Sequence, residues 1–165
     1  MATLFLTCGL PGAGKTTLAR ELERRRDALR LTADDWLRHL FGPGSREDLD
    51  AHRTGVEALQ WEVALRVLEL GRDVIVDWGV WTRAERDRYR SEAQARGVSV
   101  VLLLLDPPHE VLWQRIQGRA ADGGFVITEA ELRLWDTWFE RPTPDELAAF
   151  DSGPHSTVDA GAEGS

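Results

Sequence analysis

Apolar positions along the chain fall into two kinds of segment. Some are short unbroken runs, and others repeat an apolar residue every three or four positions. Thr3–Cys8 is an unbroken run and reads as a buried strand. Lys15–Arg26 carries Leu18 and Leu22 on one helical face. A second strand is expected over 28–32 and a short helix over 34–40, ended by Gly42-Pro43-Gly44. Residues 47–70 read as a long helix, with Val56, Leu59, Val63, Val67 and Leu70 at helical spacing and Gly71 as its stop. Residues 73–77 form a third strand. Thr82 and Glu85 then make a capping box that opens a helix reaching about Arg96. Residues 98–105 are the most apolar run and read as a central strand buried on both faces. Pro107 and Pro108 start a helix to about Arg119. Residues 129–139 form another, and a short one lies near Glu146.

Strands alternating with helices imply right-handed βαβ units. The fold class is therefore α/β, a three-layer arrangement with a parallel sheet. No internal repeat is visible. A single domain is expected over 1–150, with a small helical lid at about 115–128. Residues 151–165 read as an acidic flexible tail, with 155–158 a candidate last edge strand.

Composition narrows the classes. The chain has 165 residues, enough for one ordinary core. Cys8 is its only cysteine, so an internal disulfide framework or a structural cysteine zinc site is excluded. No apolar run reaches the length of a membrane span and no signal peptide opens the chain, so a cytoplasmic protein without a membrane partner is expected. The net charge of −8 is uneven: residues 128–165 hold two basic and nine acidic side chains, leaving 1–127 near neutrality. That balance speaks against broad affinity for nucleic acid, which needs a basic surface. Nineteen of the 20 basic residues are Arg, and the single Lys is Lys15.

That lysine sits in Gly9-Leu-Pro-Gly12-Ala13-Gly14-Lys15-Thr16, which matches G-x-x-x-x-G-K-[ST] in full, with a strand before and a helix after. Glycines let successive N–H groups turn inward toward phosphate oxygens, and the helix N-terminus adds a favourable dipole. Lys15 reaches the β- and γ-phosphates, Thr16 ligates Mg²⁺, and Thr17 lies near the α-phosphate. A composition rich in Arg that keeps one Lys here fits a cradle where a compact ammonium serves and a planar guanidinium does not.

A phosphate loop gives nucleotide binding and leaves the reaction open. The Asn-Lys-x-Asp guanine reader of GTPases is impossible, because the chain has no Asn and no second Lys. Motor and AAA+ ATPases need sensor and finger segments for which 165 residues leave no room. A single-domain kinase fits best, with a nucleotide-binding regulator of slow hydrolysis as the alternative of another class.

In such a kinase the acceptor lies beyond the C-terminal ends of the strands. Asp34 and Asp35 follow the second strand. Asp34 reads as a helix N-cap and Asp35 as the base that accepts the acceptor's hydroxyl proton. Arg38, three residues on, reads as an acceptor or phosphate contact. Asp77 ends an apolar strand in the manner of a carboxylate that holds Mg²⁺. Asp106 ends another but precedes Pro107, so capping explains it. Trp78 and Trp81 are candidates to wall the acceptor pocket, with core packing the competing reading. Arg115 and Arg119 share a helix face and could stabilise charge on the transferring phosphoryl group. Arg86 is the candidate contact for a phosphate-bearing acceptor.

At these residues the sequence resembles the small P-loop kinase family that includes polynucleotide 5′-kinases, zeta toxins and chloramphenicol phosphotransferase. The resemblance covers residues 3–146. It rests on 9–17, the Asp34-Asp35-Trp36-Leu37-Arg38 segment, Val74-Ile75-Val76-Asp77-Trp78-Gly79 followed by 83–86, residues 110–119, and 139–146. It implies a five-stranded parallel sheet in the order 2-3-1-4-5 and transfer of the ATP γ-phosphate to a hydroxyl. It also implies a base at Asp34 or Asp35 and arginines from the lid at Arg115 and Arg119. The expected partners are ATP, Mg²⁺ and a hydroxyl-bearing small molecule, with a 5′-hydroxyl polynucleotide or a nucleoside as the runner-up acceptor.

Overall fold

The computed structural model describes residues 1–42, 46–121 and 126–152. The strands are β1 (Thr3–Cys8), β2 (Leu29–Leu31), β3 (Val74–Gly79) and β4 (Ser99–Leu104). The helices are α1 (Lys15–Arg26), α2 (Ala33–Phe41), α3 (Arg46–Glu69), α4 (Arg83–Gln94), α5 (His109–Ala121), α6 (Glu129–Trp138) and α7 (Pro144–Leu147). Among the described residues the sheet has four strands, all parallel, in the order β2-β3-β1-β4. The expected fifth strand, at 155–158, lies outside the described residues, as does most of the tail. Asp151 lies against β4: its N–H donates to the Val100 carbonyl and its carboxylate accepts from the Val100 N–H.

The order explains where a ligand can bind. The chain steps from β1 toward one edge through α1, then back toward the other edge through α3 and α4. Right-handed crossovers therefore put α1 on one face and α3 with α4 on the opposite face. Trp61 of α3 donates to Glu92 of α4 at 2.6 Å, joining the two helices of that face. β1 and β3 are neighbours whose connections leave in opposite directions, so a crevice opens at their C-terminal ends. Between them the core is a continuous apolar layer of Leu4, Phe5, Leu6, Val74, Ile75, Val76 and 100–103.

One irregularity lies at that crevice. Leu6 pairs with Val76, but Cys8 pairs with Gly79, so β3 carries one extra residue across Asp77 and Trp78. A bulge of this kind breaks strict alternation and re-aims side chains beside a site. The Thr82–Glu85 capping box forms with both of its bonds, and Thr128 with Glu131 makes a second at the start of α6.

Candidate active site

The loop between β1 and α1 is held in shape from three sides. A Cβ at Gly9 would meet the Leu105 carbonyl at 2.3 Å, so only glycine lets the loop lie against the end of β4. Arg115 Nη1 donates to the Gly12 and Ala13 carbonyls, each at 3.3 Å, and ties α5 to the loop backbone. Trp81 Nε1 donates to the Gly9 carbonyl at 3.1 Å. Gly14 is the N-cap of α1, and Lys15 opens the helix.

Lys15 Nζ donates to the Leu10 carbonyl at 2.8 Å. Burial pushes its pKa down to about 8, with Asp77 opposing and Arg119 adding to the depression. Asp34 is another carboxylate whose charge reaches Lys15. A polyphosphate would supply the counter-charge this ammonium lacks.

Thr16 Oγ1 donates to Asp77 Oδ2 at 2.9 Å, and Thr32 Oγ1 donates to the same oxygen at 3.3 Å. Asp77 is 6% exposed. Burial raises its pKa, against the opposing effects of Thr16, Lys15, Arg30 and Thr32. Two hard oxygens thus converge, and a buried carboxylate gains from any cation brought to it. Among the described residues no cluster of three acidic, His or Cys side chains could hold a metal by itself. For Mg²⁺ shared with phosphate oxygens, Thr16 and Asp77 would be the protein's contribution.

The aspartate pair divides differently from the sequence expectation. Thr32, not Asp34, is the N-cap of α2, and its hydroxyl serves Asp77 instead of the helix. Asp34 lies in the first helical turn and pairs with Arg53 of α3 at 2.7 Å, with its charge reaching Lys15. Asp35 sits one residue, about 100° around the helix, further on. It pairs with Arg30 at 3.5 Å and Arg38 at 3.4 Å, and lines a cleft of about 520 Å³ with Arg30, Thr32, Trp36, His39 and Leu59. Both carboxylates therefore stand beside the crevice, Asp34 through its charge on Lys15 and Asp35 in the cleft that Thr32 joins to Asp77.

Two further expectations are corrected, for Arg86 and for Asp106. Arg86 is 0% exposed and cannot meet an acceptor. It makes a two-pronged bond to buried Glu146, at 2.5 and 3.1 Å, and donates to the Trp81 carbonyl at 2.9 Å. Trp78 and Trp81 are half-buried with their N–H groups committed, Trp78 to Gln60 at 2.7 Å and Trp81 to Gly9. Trp78 also lies edge-on to Tyr89. Asp106 does not cap α5; it accepts from Arg141 at 2.8 Å. Arg119 and Thr17 are exposed near the loop, and Arg38 is exposed beside Asp35. The part of the expected lid at 122–125 lies outside the described residues.

Gly79 was given no role in the sequence reading. A Cβ there would stand 2.9 Å from Lys15 Cε and 2.9 Å from the Gly9 carbonyl, and its φ of +83° suits glycine. The bare α-carbon lets the lysine stem cross the end of β3. The signal was present in Asp77-Trp78-Gly79, a glycine two residues beyond the strand-ending acid.

A phosphate loop at the β1–β3 crevice, with an opposed Thr–Asp pair, defines a P-loop nucleotide-binding domain with a kinase-like sheet. A family model described as an AAA domain (AAA_33) matches residues 4–142, and the chain belongs to this P-loop kinase family. No functionally curated protein matches the chain. Among solved structures, a candidate kinase from Chloroflexus aurantiacus j-10-fl is 21% identical with a TM-score of 0.69, covering 81% of this chain and 77% of that one. A chain of the Pnkp1/Rnl/Hen1 RNA repair complex is 21% identical with a TM-score of 0.67, covering 83% of this chain and 43% of that one. A sugar kinase from Janibacter sp. HTCC2649 is 24% identical with a TM-score of 0.63, covering 88% and 82%. These likenesses share the fold. Among the described residues no helix is long and apolar enough to cross a membrane.

Proposed function

We propose that the protein is an ATP-dependent phosphotransferase that moves the γ-phosphate to a hydroxyl of a small-molecule acceptor. The observation that carries this reading is the meeting of Lys15, Asp77 and Asp34 at one crevice. The charges of both Asp77 and Asp34 act on Lys15, and Asp77 also accepts from Thr16.

In this reading the loop N–H groups and Lys15 hold the phosphates, and Arg115 keeps the loop closed around them. Arg119 is positioned to add positive charge as the phosphoryl group transfers. Thr16 and Asp77 would hold Mg²⁺, which when bound neutralises charge on the phosphate oxygens. Asp34 accepts the acceptor's proton and orients its oxygen in line. Arg53 holds that carboxylate in place from α3. Single-turnover assay with labelled ATP against a panel of hydroxyl compounds tests the proposal. Transfer to an acceptor above the rate of water hydrolysis is expected. Hydrolysis alone across the panel would refute it and leave the regulator class.

A further inference from the structure

Thr32 is the N-cap of α2, a position where a threonine hydroxyl ordinarily accepts from an N–H of the first turn. Here it makes no such bond. The hydroxyl lies instead between two charged groups. Arg30 Nη1 donates to Thr32 Oγ1, and Thr32 Oγ1 donates to Asp77 Oδ2 at 3.3 Å. Thr32 and Asp77 are both buried, so water is largely kept from this contact.

Proton bookkeeping fixes the direction of the chain. A guanidinium has N–H donors and no acceptor, so the Thr32 oxygen must accept from Arg30. An ionised carboxylate carries no proton, so the hydroxyl proton of Thr32 goes to Asp77. Arg30 is itself held from two helices. Its Nε donates to Glu23 of α1 at 3.0 Å, and its Nη1 lies 3.5 Å from Asp35 of α2. Thr16 Oγ1 reaches the same Asp77 oxygen at 2.9 Å from the start of α1. Asp77 Oδ2 is therefore gripped from two sides, by the first turn of α1 and by the N-terminus of α2.

We propose that Arg30 and Thr32 are positioning residues for the metal carboxylate: Arg30 aims the Thr32 hydroxyl, and that hydroxyl fixes the rotation of Asp77 for Mg²⁺. Loss of a partner that orients a metal ligand costs about 10–100-fold in metal affinity. The inference rests on the metal role given to Asp77 in the phosphotransferase reading. Charge and position predict opposite signs at Arg30. Its positive charge reaches Asp77, so on charge alone its removal would tighten a bound cation. Loss of the aim would weaken it.

The test titrates Mn²⁺, followed by electron paramagnetic resonance, into the equimolar complex of the protein with a non-hydrolysable ATP analogue. Thr32→Val, Thr32→Ser and Arg30→Met are compared with wild type, and the analogue's own affinity is measured in EDTA. Thr32→Val keeps the shape and charge but has no hydroxyl, and its Mn²⁺ Kd should rise about tenfold or more. Thr32→Ser keeps the hydroxyl and should stay close to wild type. Arg30→Met should also raise the Kd, against the sign its charge predicts. The metal-free affinity for the analogue should be unchanged throughout. A wild-type Mn²⁺ Kd in Thr32→Val, an equal loss in Thr32→Ser, or tighter binding in Arg30→Met would overturn the relay and leave the kinase reading standing. Should Thr32→Val fail to fold, the sign of the change at Arg30 decides. The expected pattern in a protein that transfers phosphate to no acceptor would uphold the relay and overturn the kinase reading.

Discussion

Gly79→Ala is the sharpest probe of how the lysine is held. The new methyl would stand 2.9 Å from both Lys15 Cε and the Gly9 carbonyl, about 0.5 Å inside ordinary van der Waals contact on each side. Gly9 cannot retreat, because it is itself pressed against Leu105. The flexible lysine stem must move instead. The φ of +83° costs a further ~1–2 kcal/mol for a residue with a Cβ. That predicts a fall in Tm of about 2–8 °C at this chain length. Displacing the ammonium from its phosphate partners should weaken ATP binding by about tenfold, or ~1.4 kcal/mol. Gly55→Ala is the control. Gly55 lies inside α3 with open space around it, so that change should stabilise by ~0.5–1 kcal/mol and leave ATP affinity alone. Titration with a fluorescent ATP analogue and a thermal melt read both effects. A folded Gly79→Ala protein with wild-type ATP affinity would show that β3 does not brace Lys15.

Three further outcomes are expected. Asp34→Asn should abolish transfer while ATP still binds, whereas Asp35→Asn should leave most of the rate; the reverse pattern in single-turnover assays would return the base to Asp35. Arg86→Met should destabilise by about 3–5 kcal/mol in denaturant titration, because Glu146 is left charged, buried and alone. Adding Glu146→Leu should recover much of the loss, and no recovery would argue against the stranded charge as the cause. Lys15 is deprotonated in the free folded protein above about pH 8 but stays protonated in the unfolded chain up to its ordinary 10.5. Stability from this group therefore rises between those values as pH increases. ATP favours the charged form, so binding at pH 9 should take up protons. Calorimetry in buffers of differing ionisation enthalpy reads this, and a buffer-independent heat would contradict it.

The elements of this fold were legible because each signal is local. Apolar runs, the Thr82–Glu85 box and the phosphate loop all lie within a few residues of the structure they specify. The helix Lys15–Arg26 has the bounds its pattern predicts. The errors fall where the deciding partner is remote. Arg86 reads as an acceptor contact until Glu146, 60 residues away, takes it into the core. Asp34 reads as a cap, but Thr32 holds that position and Asp34 pairs with Arg53, 19 residues on. Thr32 could cap α2 but gives its hydroxyl to Asp77, 45 residues further on. The bulge in β3 is equally invisible to a period-two pattern, since the extra residue is defined only against β1.

The buried Arg86–Glu146 pair also sets an order of events during synthesis. Gly9 leaves the ribosome early, but the indole that holds its carbonyl follows at Trp81, and the carbonyl of Trp81 is held in turn by Arg86. Arg86 has no buried counter-charge until Glu146 emerges. The phosphate loop thus precedes the side chains that brace it and is completed only after them. A nascent chain stalled before Glu146 would carry the whole phosphate motif yet grip ATP poorly. ATP retention by ribosome-bound chains of increasing length should step up as residue 146 clears the exit tunnel, and retention already at full strength by residue 130 would refute that order.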